Sequence, residues 1–327
     1  MRIVCVISPY YDYLTATLME GLQELGHEIV SSEHSNYTQR TSNRQLRDLS
    51  ENADLIIVGS NRKVRTWLVE DIDNPHKVFI DGSDQQGFNV YPHIPFKAVF
   101  KRELNQKWIN TTEEPIYPLP FAAEKRYFVN RADKRDIRVT FAANMNTNTM
   151  RNSVYQRLKN KNDPGIFCGT TGEGAYRTQN CLGMPTETPK FRRLLSQTQI
   201  GINVAGAGYD CARYWEILAA CALLMTQELD IIIPHPFTDG VNCVVFKSLD
   251  EFDAKLDQLL SNPAAISEMA EAGYQHLLRY HTTAARASYF LNIATATNSE
   301  VFCKSFYSGP QKYHFKKKVL ILIKRIL

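Results

Sequence analysis

The sequence has no apolar run of the roughly 20 residues that a membrane-crossing helix needs. Its opening, MRIVCVI, is short and gives way to polar residues. That opening reads directly as a strand, so no signal peptide is expected. There is no Cys-x-x-Cys pair, and the seven cysteines, at 5, 168, 181, 211, 221, 243 and 303, are odd in number. Several lie in apolar runs, which points to buried, reduced thiols in a cytoplasmic protein rather than a disulfide framework. Cysteine and histidine never cluster at ligand spacing, which argues against zinc. In that compartment the sequons Asn36-Tyr37-Thr38 and Asn110-Thr111-Thr112 mean little. Neither sign of charge is in large excess. The net charge of +4 suits an anionic small ligand and does not demand nucleic acid.

What is present is enough chain for two ordinary domains: 327 residues, 44% hydrophobic and 22% charged. RIVCVIS (2–8) reads as a strand, and LTATLMEGLQELGHEIV has apolar residues at 14, 18, 22 and 25, a helical spacing. Gly26 closes that helix before a second strand. The polar stretch SSEHSNYTQRTSNRQ reads as a loop, and ADLIIVGS (53–60) and KVFIDGS (77–83) read as buried strands. EEPIYPLPFAAEKRYF (114–128) holds Pro115, Pro118 and Pro120 and reads as an extended linker. The alternation then restarts with DIRVTFAAN, RNSVYQRLKN, GIFCG, PKFRRLLSQTQ, IGINVAG, CARYWEILAAC and ALLMT, followed by two amphipathic helices. Two α/β units with parallel sheets, joined by a proline-rich hinge, are expected. The tail FKKKVLILIKRIL reads either as a docked terminal helix or as a basic anchor on a membrane surface.

Chemistry concentrates in NVAGAGYDCARYWEILAACALLMT. Gly206 and Gly208 can bring backbone close to a ligand. Asp210 is a suitable N-cap for the helix that follows, and a helix start favours an anion. Arg213, in the first turn, opposes the helix dipole unless it grips a phosphate. Glu216 lies on the same face and can accept from sugar hydroxyls. The pair suits a nucleotide, with diphosphate at Arg213 and ribose at Glu216. It also suits an intrahelical salt bridge.

The stretch GYDCARYWEILAACALLMTQELDIIIPHPFTDGVNCVVF, with MAEAGYQHLLRYHTTAARASYFL after it, resembles the C-terminal half of GT-B glycosyltransferases, in particular the CgeB-like and family 1 group. The motifs that carry the likeness are Arg213 with Glu216, Leu223-Leu224-Met225-Thr226, Asp239-Gly240-Val241-Asn242, His281-Thr282 and Arg286. FIDGSD, FKRELN and YPLPFAAE fit the same group more loosely. The resemblance implies an α/β chain of GT-B fold, with two Rossmann-like domains facing across a cleft. Residues 1–125 would form the acceptor domain, 126–290 the nucleotide-sugar domain and 291–327 the tail. It implies a hexosyl-type transferase that is metal-independent, needs no cofactor beyond its nucleotide-diphosphate sugar, and closes about 115–136 to exclude water. Glu216 matches the second of two glutamates eight positions apart in the related retaining enzymes. The place of the first is Gly208.

On this reading Gly206, Gly208, Tyr209, Asp210, Arg213, Glu216 and Thr226 bind the donor. Ser8, Tyr11, Lys101 and Arg102 line the acceptor cleft. Asp81 and Asp84, after a strand where α/β sites gather, are candidate bases, although Asp-Gly-Ser-Asp is also a good turn. Arg151 is a candidate to neutralise the leaving diphosphate, or a solvated surface arginine. His281 is expected to be a satisfied structural histidine. The acceptor is open among glycan, protein, small molecule and, less favoured, DNA. Peripheral membrane contact would run through the tail. A nucleotide-sugar epimerase of the same architecture and a non-catalytic nucleotide-sugar-binding protein are the alternatives.

Overall fold

In the computed structural model, which describes residues 1–35, 37–60, 63–84, 91, 93–108, 116–129, 134–170 and 188–296, two parallel sheets follow one another along the chain. The first is built from β1 (Arg2–Val6), β2 (Glu28–Ser31), β3 (Leu55–Gly59), β4 (Lys77–Asp81), β5 (Ala98–Lys101) and β6 (Ile116–Pro118), with helices α1 (Tyr13–Glu24) and α2 (Asn43–Glu51). Its strand order is β2-β1-β3-β4-β5-β6. The second contains β7 (Ile137–Ala143), β8 (Ile166–Thr170), β9 (Thr198–Asn203), β10 (Leu223–Gln227) and β11 (Val244–Phe246). Its order is β11-β10-β9-β7-β8. With it go α3 (Thr149–Asn160), α4 (Thr188–Ser196), α5 (Ala212–Ala219), α6 (Leu249–Leu260), α7 (Pro263–Tyr280) and α8 (Thr283–Ala294). In each sheet the strand order reverses beside its first strand, which opens a crevice beyond the carboxyl ends of the strands.

The strands read as unbroken apolar runs because both faces are covered. LIIVG of β3 is buried at every position, as is KVFID of β4. Packing density then tells most at helix contacts. Gly21 of α1 lies against the backbone of Thr283 and the Cβ of Ala287, so any side chain there would collide with α8. The last described helix therefore returns to the first domain, where Phe290 rests on Phe100 with ring centroids 4.6 Å apart.

Two segments differ from the sequence expectation. The stretch read as a linker contributes β6, which pairs in parallel with β5, Val99 opposite Ile116. Proline is tolerated there because β6 is an edge strand. The chain crosses to the second domain only after Pro118, and Ala123 bonds the carbonyl of His281 at 2.9 Å on the way. The polar stretch read as a loop runs into α2, capped by Ser42, whose Oγ accepts from the Gln45 N–H at 3.3 Å. No described helix is long and apolar enough to cross a membrane. The tail FKKKVLILIKRIL, Asn36, Asn110, Cys181 and Cys303 lie outside the described residues.

Candidate active site

The carboxyl end of β1 and the start of α1 frame a small, partly open concavity whose lining includes Ser8, Tyr10, Tyr11, Asp12, Thr15 and Tyr37. Asp12 caps α1: its Oδ1 accepts from the Leu14 N–H at 3.1 Å and its Oδ2 from the Thr15 hydroxyl at 2.8 Å. Burial pushes its pKa above the usual carboxylate range, against the pull of Thr15 and Arg102. Ser8 and Tyr11 are among the residues expected from the sequence; Asp12 is not. A polar residue directly before the helical pattern was the available signal.

Opposite stands α5. Arg213 and Glu216 share this short helix but are not ion-paired at salt-bridge distance, which removes the intrahelical salt bridge. The Nε and Nη1 of Arg213 are buried and find no partner. Glu216, 8% exposed, faces the crossing segment instead. Burial raises its pKa, while the Tyr127 hydroxyl, Arg213 and Arg126 pull it down. Tyr13, at the start of α1, feels the Glu216 charge, and its own buried hydroxyl has no partner. Both domains and the crossing thus meet at one polar knot of Tyr13, Arg126, Tyr127, Arg213 and Glu216. The charged run AEKRYF just after the prolines was the sequence signal for the crossing's share.

Several expected roles change. Asp210 is not the N-cap of α5. That place is Cys211, which makes no side-chain cap bond, so the opening N–H groups of the helix have no side-chain acceptor. Asp210 instead accepts from the Phe121 N–H at 2.7 Å and the Trp215 Nε1 at 2.8 Å. Thr226 is 2% exposed, accepting from Asn203 Nδ2 at 3.0 Å and donating to the Gln227 carbonyl, so it does not face a donor. Asp81 and Lys101 form a fully buried pair at 2.9 Å, which removes Asp81 as a free base and Lys101 from the open cleft. Asp84 is half-exposed and paired with Arg102. Arg102 is otherwise buried, donating to the Asp210 carbonyl at 3.0 Å and lying over the Phe121 ring at 4.6 Å.

Arg151 is neither solvated nor free for a leaving group. Its guanidinium donates to the carbonyls of Asn144 and Ala205, both at 2.9 Å, and to Val204 at 3.1 Å. It stitches together the loops after β7 and β9, the two sides of the second domain's crevice. A Cβ at Gly206 would stand 2.8 Å from Arg151 Nη2, so the guanidinium would have to shift to admit it. Gly208 and Tyr209 belong to the same loop, where the Tyr209 N–H donates to Glu103 at 3.0 Å.

His281 is fully buried. Arg286 can only donate, so at 2.8 Å it fixes Nδ1 as the acceptor, and Nε2–H donates to the His235 carbonyl at 2.9 Å. Burial, and then Arg286, hold its pKa well below the usual histidine value. It is a structural, neutral histidine. Among the described residues no group of three His, Cys, Asp or Glu side chains could hold a metal ion.

Residues 149–292 match the family described as glycosyl transferase-like. No curated protein matches the sequence. Among solved structures, an alpha-glucosyltransferase bound to UDP-glucose and abasic-site DNA superposes with a TM-score of 0.59 at 12% identity, covering 90% of this chain and 100% of that one. A glycosyltransferase from Rickettsia africae ESF-5 gives 0.59 at 11% identity, over 90% and 97% of the two chains. The T4 phage enzyme BGT, in complex with its substrate UDP-glucose, gives 0.56 at 13% identity, over 90% and 98%. At such identities the likeness is one of fold. The chain has the two-domain α/β fold of GT-B glycosyltransferases, and its residues 149–292 carry the glycosyl transferase-like family's pattern.

Proposed function

We propose that this protein is a glycosyltransferase that moves a sugar from a nucleotide-diphosphate donor to an acceptor hydroxyl. One observation carries the reading. Arg213 holds an unpartnered, partly buried guanidinium at the uncapped start of α5, beside the buried carboxylate of Glu216. A guanidinium and helix N–H groups together bind a diphosphate, and they stabilise it as it leaves. Glu216 then takes the ribose hydroxyls, with Tyr13 and Tyr127 adapting around it. The UDP-glucose held by two proteins of the same fold supports a nucleotide sugar as ligand. The donor's charge is met by Arg213 and backbone dipoles, so transfer is expected to survive chelation of divalent metals.

The acceptor hydroxyl enters the concavity beyond β1. Asp12 is the carboxylate that lines it and is held in place by Leu14 and Thr15. A carboxylate whose pKa is raised by burial is the better proton acceptor, which suits Asp12 as general base. Asp81, locked to Lys101, is not so placed.

The test is calorimetric titration with UDP-, GDP- and dTDP-sugars, followed by product analysis with glycan, small-molecule and DNA acceptors. Binding of one donor and transfer of its sugar are expected. Release of an epimerised nucleotide sugar without acceptor would reassign the protein to epimerisation. Binding with neither transfer nor hydrolysis would leave it a binding protein.

A further inference from the structure

The loop that leads into α5 is held by a residue of the other domain. Glu103, just past Arg102 at the end of β5, is fully buried. Its carboxylate accepts from two consecutive backbone N–H groups, Tyr209 and Asp210, both at 3.0 Å. Arg102 lies 3.4 Å from the same carboxylate and donates to the Asp210 carbonyl at 3.0 Å. Such charge-assisted bonds in a water-excluded place are the strong ones. A Cβ added at Gly208 would stand 2.9 Å from Glu103 Cδ, nearer still to Oε1, and 3.2 Å from Asp84 Oδ1. Gly208 has no positive φ to explain it. Its lack of a side chain is the room that Glu103 occupies.

We propose that Glu103 is a cross-domain positioning residue: it puts a carboxylate where a side chain of residue 208 would lie and thereby fixes the 206–210 loop and the start of α5 for the donor. The loop's own N–H groups at 209 and 210 are spent on Glu103, so the anion is left to Arg213 and the first turn of the helix. Because the carboxylate comes from the first domain and the N–H groups from the second, the loop is in register only while the domains are closed. The role toward a donor rests on the glycosyltransferase reading, whereas the cross-domain bond does not.

A transplant of the carboxylate tests this. Glu103→Ala is expected to lower Tm by about 4 °C or more, from the loss of two charged hydrogen bonds. It is also expected to weaken donor binding about tenfold, although Glu103 touches no donor. Gly208→Glu alone is expected to lose both, since two carboxylates then claim one place. The double variant Glu103→Ala/Gly208→Glu is expected to recover most of the Tm and bring donor affinity to within about threefold of wild type. Glu103→Ala/Gly208→Ala, which gives space without charge, is expected not to recover. A double variant no better than the worse single one, or equal recovery with alanine at 208, would overturn the proposal. If Glu103→Ala does not fold, recovery of a folded protein by Gly208→Glu is itself the readout, and Glu103→Gln supplies a milder lesion. The Tm cycle needs no ligand, so a wild type that binds no donor would sink the functional reading and leave this one decided separately.

Discussion

Arg213 and Glu216 stand one turn apart on α5 and do not pair. Glu216 meets the Tyr127 hydroxyl of the crossing segment, while Arg213 keeps two guanidinium nitrogens buried and without partners. A helix of this length gains a few tenths of a kcal/mol from an i, i+3 ion pair. Leaving a buried donor unmade costs about 1–3 kcal/mol. An anion bound at the start of α5 would satisfy those donors.

Replacing Arg213 by methionine, which keeps the packing stem, removes those orphan donors. The variant is expected to be as stable as wild type or more so, by up to about 1 kcal/mol in urea unfolding. A loss of more than about 1 kcal/mol would mean that the guanidinium is already satisfied.

Asp12→Asn separates structure from chemistry. Asparagine is as good an N-cap as aspartate, so α1 and the melting temperature are expected to hold. A neutral amide cannot take a proton, and kcat is expected to fall about 100-fold or more with KM little changed. Steady-state kinetics with the identified acceptor checks this, and an unchanged kcat would remove Asp12 from the reaction.

The Asp81–Lys101 pair has no access to substrate and is expected to matter to stability alone. Removing one partner leaves a bare buried charge, so Asp81→Asn is expected to cost about 3–5 kcal/mol. Replacing both with apolar residues, Asp81→Leu with Lys101→Met, is expected to be milder than either single change. Urea unfolding of the three variants measures it. Additive losses would contradict the pairing.

Glu124, 1% exposed on the crossing, lies 2.8 Å from Arg126, yet burial outweighs that pairing and raises its pKa from 4.5 to about 7. The folded chain therefore holds a proton at this carboxyl that the unfolded chain releases near 4.5. The resulting stability is complete below the unfolded pKa and is lost as pH rises through about 7. Its full size is at most about 3 kcal/mol. Glu124→Gln is expected to melt close to wild type at acid pH and above it at pH about 8. Parallel melting curves across that range would contradict the shift.

Much of the fold was legible because parallel, doubly covered strands are written as plain apolar runs. LIIVG and KVFID could hardly be anything else. β6 was not legible, because Pro115, Pro118 and Pro120 read locally as a linker, and within a sheet it is the edge that tolerates proline. Arg213 and Glu216 stood out by spacing, since both fall on one helix face. The partners of Glu103 and Tyr127 were not legible, because they come from across the domain boundary and no local period encodes that, whereas Asp12 has local partners and only its place directly before the helical pattern marks it. Asp81 and Arg151 misled for the opposite reason. Each sits at a strand end where sites gather, and each is consumed by a neighbour, Lys101 or a set of carbonyls, that sequence spacing does not reveal.

The most direct test of the central claim is donor binding by calorimetry to wild type, Arg213→Ala and Glu216→Ala, across UDP-, GDP- and dTDP-sugars. Wild type is expected to bind at least one donor, with affinity falling about tenfold to a hundredfold in each variant while both remain folded. A folded wild type that binds none of them, or equal affinity in all three proteins, would contradict a nucleotide-sugar site on α5.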